Sequence, residues 1–329
     1  MIYYRPLVQH GAERPDDAVT LAGGPLWFTR AEAISRAGDI HLVSTGEIPE
    51  NWLCALSNPR SPLLGMDLST PRLMGIVNVT PDSFSDGGLH FDTDAAVAAA
   101  QAMQGADILD IGGESTRPGA AEVPVDEEIS RTAPVIRALR EKTRTPISID
   151  TRKKAVAEAA VQAGAGLVND VSGFTFDPAL APFCADADLP VCVMHAQGDP
   201  ETMQKNPHYN NVLLDVFDVL ETQVRALEQA GIPRSRILVD PGIGFGKTVD
   251  HNLTLLKNIS LFHGLGCAIL LGVSRKRFIG TLSDTPDAQA RAPGSVAVGL
   301  AALAQGVQIL RVHDVAATRQ ALTLWQAVR

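Results

Sequence analysis

Cysteine, cationic side chains and long apolar runs are all scarce in this 329-residue sequence, and each scarcity narrows what the protein can do. The four cysteines have no paired spacing, which predicts reduced thiols and argues against a zinc site or a disulfide framework. With 28 Lys and Arg against 37 Asp and Glu, the net charge is −9, so we expect neither nucleic acid nor an anionic membrane as a partner. No apolar run matches a signal-peptide core or a membrane span, and we therefore expect a cytoplasmic protein.

The first 70 residues differ in composition from the rest of the chain, because they are interrupted by six prolines. Thr29 and Glu32 fit a capping box, which predicts a helix start leading into Ala33. A segment this short with so many breakers would struggle to form a core of its own. We therefore expect residues 1–70 to be an N-terminal extension packed on the main domain, and a separate small domain is the less favoured alternative.

From residue 71 to 329, short apolar runs alternate with helical patterns, and 45% of the whole chain is hydrophobic. The runs predict eight buried strands: Leu73–Val77, Ile108–Ile111, Ile147–Ile149, Leu167–Val168, Val191–Met194, Ile237–Val239, Ala268–Val273 and Val307–Val312. Eight strands alternating with helices over roughly 250 residues are typical of an α/β (β/α)8 TIM barrel. A doubly wound open sheet is the alternative, but one uninterrupted series of eight units favours closure.

Every predicted strand ends in a hydrogen-bonding or charged residue. In order these are Asn78, Asp110, Asp150, Asn169, His195, Asp240, Ser274 with Arg275 and Lys276, and Arg311 with His313. Any one of them alone is more often a turn or capping residue. In a barrel all of them lie at the carboxyl ends of the strands, where active sites are found. The series therefore predicts a ligand site.

The strand-end residues divide into acceptors and cations. Asp110, Asp150, Asn169 and Asp240 require N–H donors once they are desolvated, as the edge of a guanidine-like heterocycle supplies. The cations come from the loops after strands 2, 7 and 8, and this fold often binds phosphate at the last two of these loops: they are Arg117, Arg275, Lys276, Arg311 and His313. His195 lies on an apolar strand and is more often a satisfied core histidine than a base. A hard ion such as Mg²⁺ suits the set better than zinc.

Two stretches resemble the first two signature motifs of bacterial dihydropteroate synthase. They are Met74–Gly88, which reads MGIVNVTPDSFSDGG, and Asp110–Gly119, which reads DIGGESTRPG. Six further segments follow in the family's order: Ser148–Thr151, Asn169–Gly173, Met194–His195, Asp240–Lys247, Ser274–Arg277 and Arg311–Val315. The resemblance covers residues 72–329 and leaves the extension outside it.

The resemblance implies a pterin-binding transferase of folate biosynthesis that forms a homodimer. Such enzymes join p-aminobenzoate to 6-hydroxymethyl-7,8-dihydropterin pyrophosphate and release pyrophosphate. It also implies roles for residues of this chain. Asn78 would bind Mg²⁺; Thr116, Arg117, Arg311 and His313 would hold the pyrophosphate; Asp150, Asn169, Asp240 and Lys276 would line the pterin pocket, with Asp110, Met194 and Phe245 nearby. The expected catalytic residues are Asp86, Lys276 and Arg311.

The implied loops at 80–91 and 115–122 would close over the site, and the glycine-rich part of the first is expected to be poorly ordered without ligand. Two positions depart from the family: Arg277 stands where many members carry Ser, and Ala196 where Met is common. The alternatives are a pterin-dependent methyltransferase and a pterin-binding paralogue without catalysis. A methyltransferase has no need for the anion pair of Arg311 and His313, and a non-catalytic paralogue should have lost part of the cationic set.

Overall fold

The structure, a computed structural model, describes residues 1–80, 93–115, 120–198 and 203–328. It begins with a small sheet outside the barrel. The strands before the barrel are β1 Ile2–Pro6, β2 Val19–Thr20, β3 Trp27–Phe28, β4 Arg30–Ser35 and β5 Ile40–Ser44, followed by helix α1, Glu50–Ser57. Strands β1, β4 and β5 form an antiparallel sheet in that order, and β2 pairs with β3. Pro6 is tolerated because β1 is an edge strand.

The helix start predicted from Thr29 and Glu32 is wrong, because the segment that follows is the central strand β4. Ala31 and Ala33 are buried, while Arg30 is exposed and Glu32 is half-buried. This alternation has the period of a strand, and β4 pairs along its length with β1 and β5. Pairing on both edges and burial of one face outweigh a local capping signal.

The extension packs on the outside of the barrel. The hydroxyl of Tyr3 donates to both carboxylate oxygens of Asp218, at 2.9 and 3.0 Å. Ser260 donates to the carbonyl of Pro6 at 3.0 Å, and Arg60 donates to the carbonyl of His263 at 3.1 Å. The boundary at residue 70 stays a prediction.

Eight parallel strands then close into a barrel, as predicted. They are β6 Arg72–Asn78, β7 Ile108–Gly112, β8 Ile147–Asp150, β9 Leu167–Asp170, β10 Val191–Met194, β11 Ile237–Asp240, β12 Ala268–Gly272 and β13 Ile309–Val312. Closure is made by β13 and β6, with Arg311 level with Met74. The amino-terminal end is sealed by Leu63 and Leu68, which cluster with residues near the starts of the strands.

Helices surround the barrel. They are α2 Thr93–Ala102, α3 Val125–Lys142, α4 Lys154–Ala163, α5 Leu180–Asp186, α6 Val212–Gln229, α7 Val249–Lys257, α8 Arg277–Ser283, α9 Ala292–Leu303 and α10 Val315–Val328. Helix α5 was not predicted, since it is short and contains Pro182. None of the helices in the described ranges is long and apolar enough to cross a membrane.

Candidate active site

The carboxyl ends of the strands bring the predicted acceptors to one mouth of the barrel. Strand register places Asp150 level with Asn169, and Met194 level with Asp240. Asp110, Asp150, Asn169 and Asp240 are all buried, with Asp110 at 0% exposure. The sequence therefore predicted correctly that these side chains come from different strands and converge.

Arg311 is the centre of this mouth. Its Nε lies 2.5 Å from Asp110 Oδ2, and its Nη2 lies 2.7 Å from Asp150 Oδ2. Asn169 donates to the same oxygen of Asp110 at 3.2 Å. Burial raises the pKa of Asp150 to about 7, and the opposing charge of Arg311 offsets only part of that effect. One guanidinium thus holds two carboxylates in fixed positions.

The floor of the mouth presents acceptor atoms without partners. Asp110 Oδ1, Asp150 Oδ1 and Ser148 Oγ are buried and make no hydrogen bond with any residue that the structure describes. A buried acceptor without a donor costs free energy, on the order of 1–3 kcal/mol. Ser148 was not identified as a site residue, although it shares the inward face of β8 with Asp150 and lies level with Asp110. A ligand with several N–H donors would satisfy this floor.

Lys276 stands on the other side, beside Asp240 and Phe245. Its ammonium donates to the carbonyl of Ile243 and lies 4.6 Å from the centre of the Phe245 ring. A methyl group placed on Gly272 would be 3.7 Å from Asp240 Oδ2 and 4.0 Å from Lys276 Nζ, so both charges border this glycine. Burial lowers the pKa of Lys276 to about 8, and the charge of Asp240 limits the drop.

Arg275 does not join the cationic cluster, and that expectation is wrong. Its backbone is left-handed, with φ of +58°, and its guanidinium lies against Asp314, with Nε 3.0 Å from Oδ2 and Nη2 2.5 Å from Oδ1. His313 does lie at the mouth: its Nδ1 is 3.0 Å from Ser274 Oγ, which also accepts from its backbone N–H. Arg277 is exposed at the first residue of α8.

The loop at 241–247 is folded by close backbone approaches. A Cβ on Gly242 would lie 1.8 Å from the carbonyl oxygen of His195, so only glycine fits there. Lys247, which is 3% exposed, donates to the carbonyls of Gly242 and Phe245 at 2.9 Å and lies 2.9 Å from His195 Nδ1. Burial, then the charge of Lys247, lowers the pKa of His195 to about 3, so its ring is neutral. His195 is therefore a satisfied core histidine, as expected.

A buried ion network that was not predicted lies beside the mouth. Glu114 pairs with Arg152 at 3.1 Å and with Lys153 at 3.2 Å, and Lys153 also pairs with Glu128 at 2.9 Å. No sequence motif gives this network, because its members come from separate elements. Glu114 lies just before Ser115, so the network anchors the start of the second loop.

Part of the predicted site lies outside the described residues. Asp86, Thr116 and Arg117 belong to residues 81–92 and 116–119, and so do most of the two loops expected to close over the site. Asn78 is described and ends β6, level with Gly112. Within the described ranges, no group of three or more His, Cys, Asp or Glu side chains could hold a metal ion.

Comparison with known proteins fits this geometry. Residues 74–313 match the family model described as "Pterin binding enzyme". The dihydropteroate synthase of Escherichia coli (strain K12) is 45% identical over 264 residues, which are 80% of this chain and 93% of the relative. The synthase of Haemophilus influenzae is 46% identical over 264 residues, which are 80% of this chain and 95% of the relative.

Solved structures of dihydropteroate synthases are also similar to this chain. The dihydropteroate synthase of Xanthomonas albilineans with 4-aminobenzoic acid has a TM-score of 0.77 and 49% identity, covering 82% of this chain and 98% of that one. The synthase of the same organism in complex with 7,8-dihydropteroate has a TM-score of 0.73 and 47% identity, covering 80% and 95%.

Proposed function

Because this chain belongs to the pterin-binding enzyme family, as one of the dihydropteroate synthases, we propose that its barrel mouth condenses p-aminobenzoate with 6-hydroxymethyl-7,8-dihydropterin pyrophosphate, releasing pyrophosphate in folate biosynthesis. The observation that carries the proposal is that the family match, at residues 74–313, includes residues of all eight barrel strands, and that the acceptors and cations of these strands meet at one mouth. Nothing in the fold or the comparisons favours a methyltransferase or a non-catalytic paralogue.

The acceptor floor suits the pterin ring. Asp110 and Asp150 each offer a free oxygen to ring N–H groups, and Asn169 and Asp240 line the same mouth. Lys276 would donate to an acceptor atom of the ring and supply a positive charge close to it. Met194 is 3% exposed and level with Asp240, and Phe245 lies against Lys276. These apolar side chains would exclude water from the pterin faces.

The cations suit the leaving group. Charge grows on the pyrophosphate as its bond to the pterin methylene breaks, and positioned cations lower the barrier by stabilising that charge. Arg311 and His313 would take this role from β13 and its exit loop, with Thr116 and Arg117 from the second loop. The amine of p-aminobenzoate is already nucleophilic, so no Ser or Cys nucleophile is needed. Asp86, in the first loop, would stabilise the electron-poor methylene.

Mg²⁺ fits the donor set at this mouth. The ion needs only one or two protein oxygens when phosphates supply the rest of its coordination. The side chain of Asn78, at the tip of β6, offers one such oxygen. Bound Mg²⁺ would neutralise part of the charge on the pyrophosphate. The role of Asn78 would be to place the ion on the leaving-group side of the mouth.

We also propose a cytoplasmic homodimer. All four cysteines are free, and three of them are buried, as suits a reducing compartment.

The outer side of the last two helices is apolar: Pro293, Ala297 and Ala301 are exposed on α9, and Leu324 on α10 is 61% exposed. A second copy of this chain would cover this surface and remove it from water.

The function is tested by following pyrophosphate release from purified protein with dihydropterin pyrophosphate, p-aminobenzoate and Mg²⁺. Release should require both substrates, and 7,8-dihydropteroate should form in equal amount. Release no faster than in the absence of protein would overturn the proposal.

A further inference from the structure

The extension reaches the helix that follows the fifth barrel strand. It precedes the family match, which begins at residue 74. Arg36, just after β4, places Nη1 2.8 Å from Asp215 Oδ1 and pairs through Nη2 with Asp218. Its Nε donates at 3.1 Å to the hydroxyl of Tyr3, which itself bonds to Asp218. One guanidinium therefore ties the extension's sheet to the first two turns of α6.

Asp215, which is held by Arg36, also binds the loop before α6. While Oδ1 faces Arg36, Oδ2 accepts the backbone N–H groups of Asn210 at 3.0 Å and Asn211 at 3.1 Å. Burial works against ionisation, but the hydrogen bonds from Arg36 and from these backbone groups hold the pKa of Asp215 below its usual value. The carboxylate thus stays charged and holds the backbone of residues 210–211, which directly follow Tyr209.

This loop rests on the loop that shapes the pterin pocket. The hydroxyl of Tyr209 donates to the carbonyl of Gly246 at 2.8 Å, and Gln204 donates to the carbonyl of Gly244. Both glycines have left-handed backbones, and Phe245 lies between them. Phe245 lies against Lys276, and Lys276 donates to the carbonyl of Ile243 in the same loop. The contacts therefore run without a gap from Arg36 to the pterin side of the mouth.

We propose that the N-terminal extension is a positioning element for the pterin site, acting through Arg36, Asp215 and Tyr209 on the loop at 241–247. Arg36 touches no reacting atom; it fixes the loop that carries Phe245 and orients Lys276. Loss of this support lets the loop sample other positions, and pterin binding must then reorder it, which weakens affinity. The chemical step changes little, because Arg311, Asp110 and Asp150 hold one another by contacts outside this loop.

The test is the variant Arg36→Met, which keeps an apolar stem and removes the guanidinium. Its matched control is Arg5→Met, which breaks an ion pair with Glu32 inside the same sheet, at 2.8 Å, and leaves α6 untouched. We expect Arg36→Met to raise KM for dihydropterin pyrophosphate about three- to tenfold, with kcat and KM for p-aminobenzoate within about twofold. Arg5→Met should leave all three within about twofold. Equal effects of the two variants, or an unchanged pterin KM in Arg36→Met, would overturn the proposal.

A double-mutant cycle with Tyr209→Phe tests the route. If the support runs through Tyr209, then Arg36→Met should raise the pterin KM less than about twofold in the Tyr209→Phe background, because the contact is already lost. Effects that simply multiply would contradict the route. The inference rests on the proposed function, so pterin binding is also measured by calorimetry. Failure of wild-type turnover would then refute the function, whereas unaltered binding in Arg36→Met would refute the positioning role.

Discussion

Arg311 Nη2 and Asp150 Oδ2 lie 2.7 Å apart across the barrel mouth, and Arg311 uses its Nε for Asp110 at the same time. The proposed cation for pyrophosphate is therefore already paired in the structure. The ion pair holds the guanidinium in place before substrate arrives, which is the preorganisation that electrostatic catalysis requires.

Replacing Arg311 should reduce both turnover and stability. Arg311→Met leaves two buried carboxylates without a cation, and breaking a buried pair in this way costs about 3–5 kcal/mol. We expect kcat to fall at least about 100-fold, by analogy with the loss of one charge-stabilising group. Steady-state assays and thermal unfolding measure the two effects. Adding Asp110→Asn should recover part of the lost Tm and none of the lost activity; recovery of activity would contradict the assigned role.

Lys276 should affect turnover without a comparable loss of stability. Among the residues that the structure describes, no carboxylate pairs with its ammonium within 4.0 Å, and in Lys276→Met the nearby Asp240 keeps the hydrogen bond from the backbone of Gly242. The expected drop in kcat/KM is about 100-fold or more, because the variant removes a charge from the pterin pocket. Lys257→Met, at an exposed position on α7, is the matched control and should match wild type. Wild-type kinetics in Lys276→Met would contradict the assignment of Lys276 to the active site.

The pH dependence of kcat/KM should report the deprotonation of Lys276. Since burial lowers its pKa to about 8, the free enzyme loses this positive charge as the pH rises through about 8. The charged form would be the stronger donor to the pterin, so kcat/KM for the pterin substrate should fall above that pH. Arg stays protonated across this range, so Lys276→Arg should have lower activity but no decline near pH 8. The same decline in Lys276→Arg would assign it to another group.

Asn78 should set the requirement for Mg²⁺. Chelation by EDTA is expected to stop turnover, and added Mg²⁺ to restore it. Asn78→Ala should raise the Mg²⁺ concentration that gives half-maximal activity by about tenfold, on the order of the effect of a lost metal contact. Asn58→Ala, at the opposite end of the barrel, is the control. Turnover that persists after exhaustive chelation would refute the proposed requirement for Mg²⁺.

The apolar surface of the last two helices should govern oligomeric state. Light scattering is expected to give twice the chain mass of 34.9 kDa. Leu324→Glu places a charge in the proposed interface and should shift the protein to monomer. Leu42→Glu, at a similarly exposed leucine on β5 that is 53% accessible, should leave the dimer unchanged. A wild-type protein of single-chain mass would contradict the dimer.

The barrel and much of its mouth could be predicted from the sequence because both follow local rules. Apolar runs of strand length alternate with helices, and the polar residue that ends each run must lie at the same rim. Arg275 could not be placed in this way. It follows a strand as Lys276 does, but its left-handed backbone directs it to Asp314, which lies 39 residues further along the chain. Side-chain direction after a strand depends on distant partners.

Two other features could not be predicted from the sequence, because they also depend on residues that are distant along the chain. The segment from Arg30 to Ser35 carries a helix signal at its start, but it becomes a strand because β1 and β5 pair with it on both sides. Ser148 was overlooked because a serine within an apolar run looks like a weak core residue. Only the closed barrel shows that it faces inward beside Asp110.

The double pairing of Arg311 also bears on drug resistance. Asp110 would offer one oxygen to a pterin-like inhibitor, and it uses the other to neutralise Arg311. A substitution at Asp110 that weakened such an inhibitor would also unbalance the buried charge that we propose to act on the natural substrate. We therefore expect mutational escape from compounds that bind this floor to be restricted, and substitutions in the surrounding loops to be the more accessible route to it.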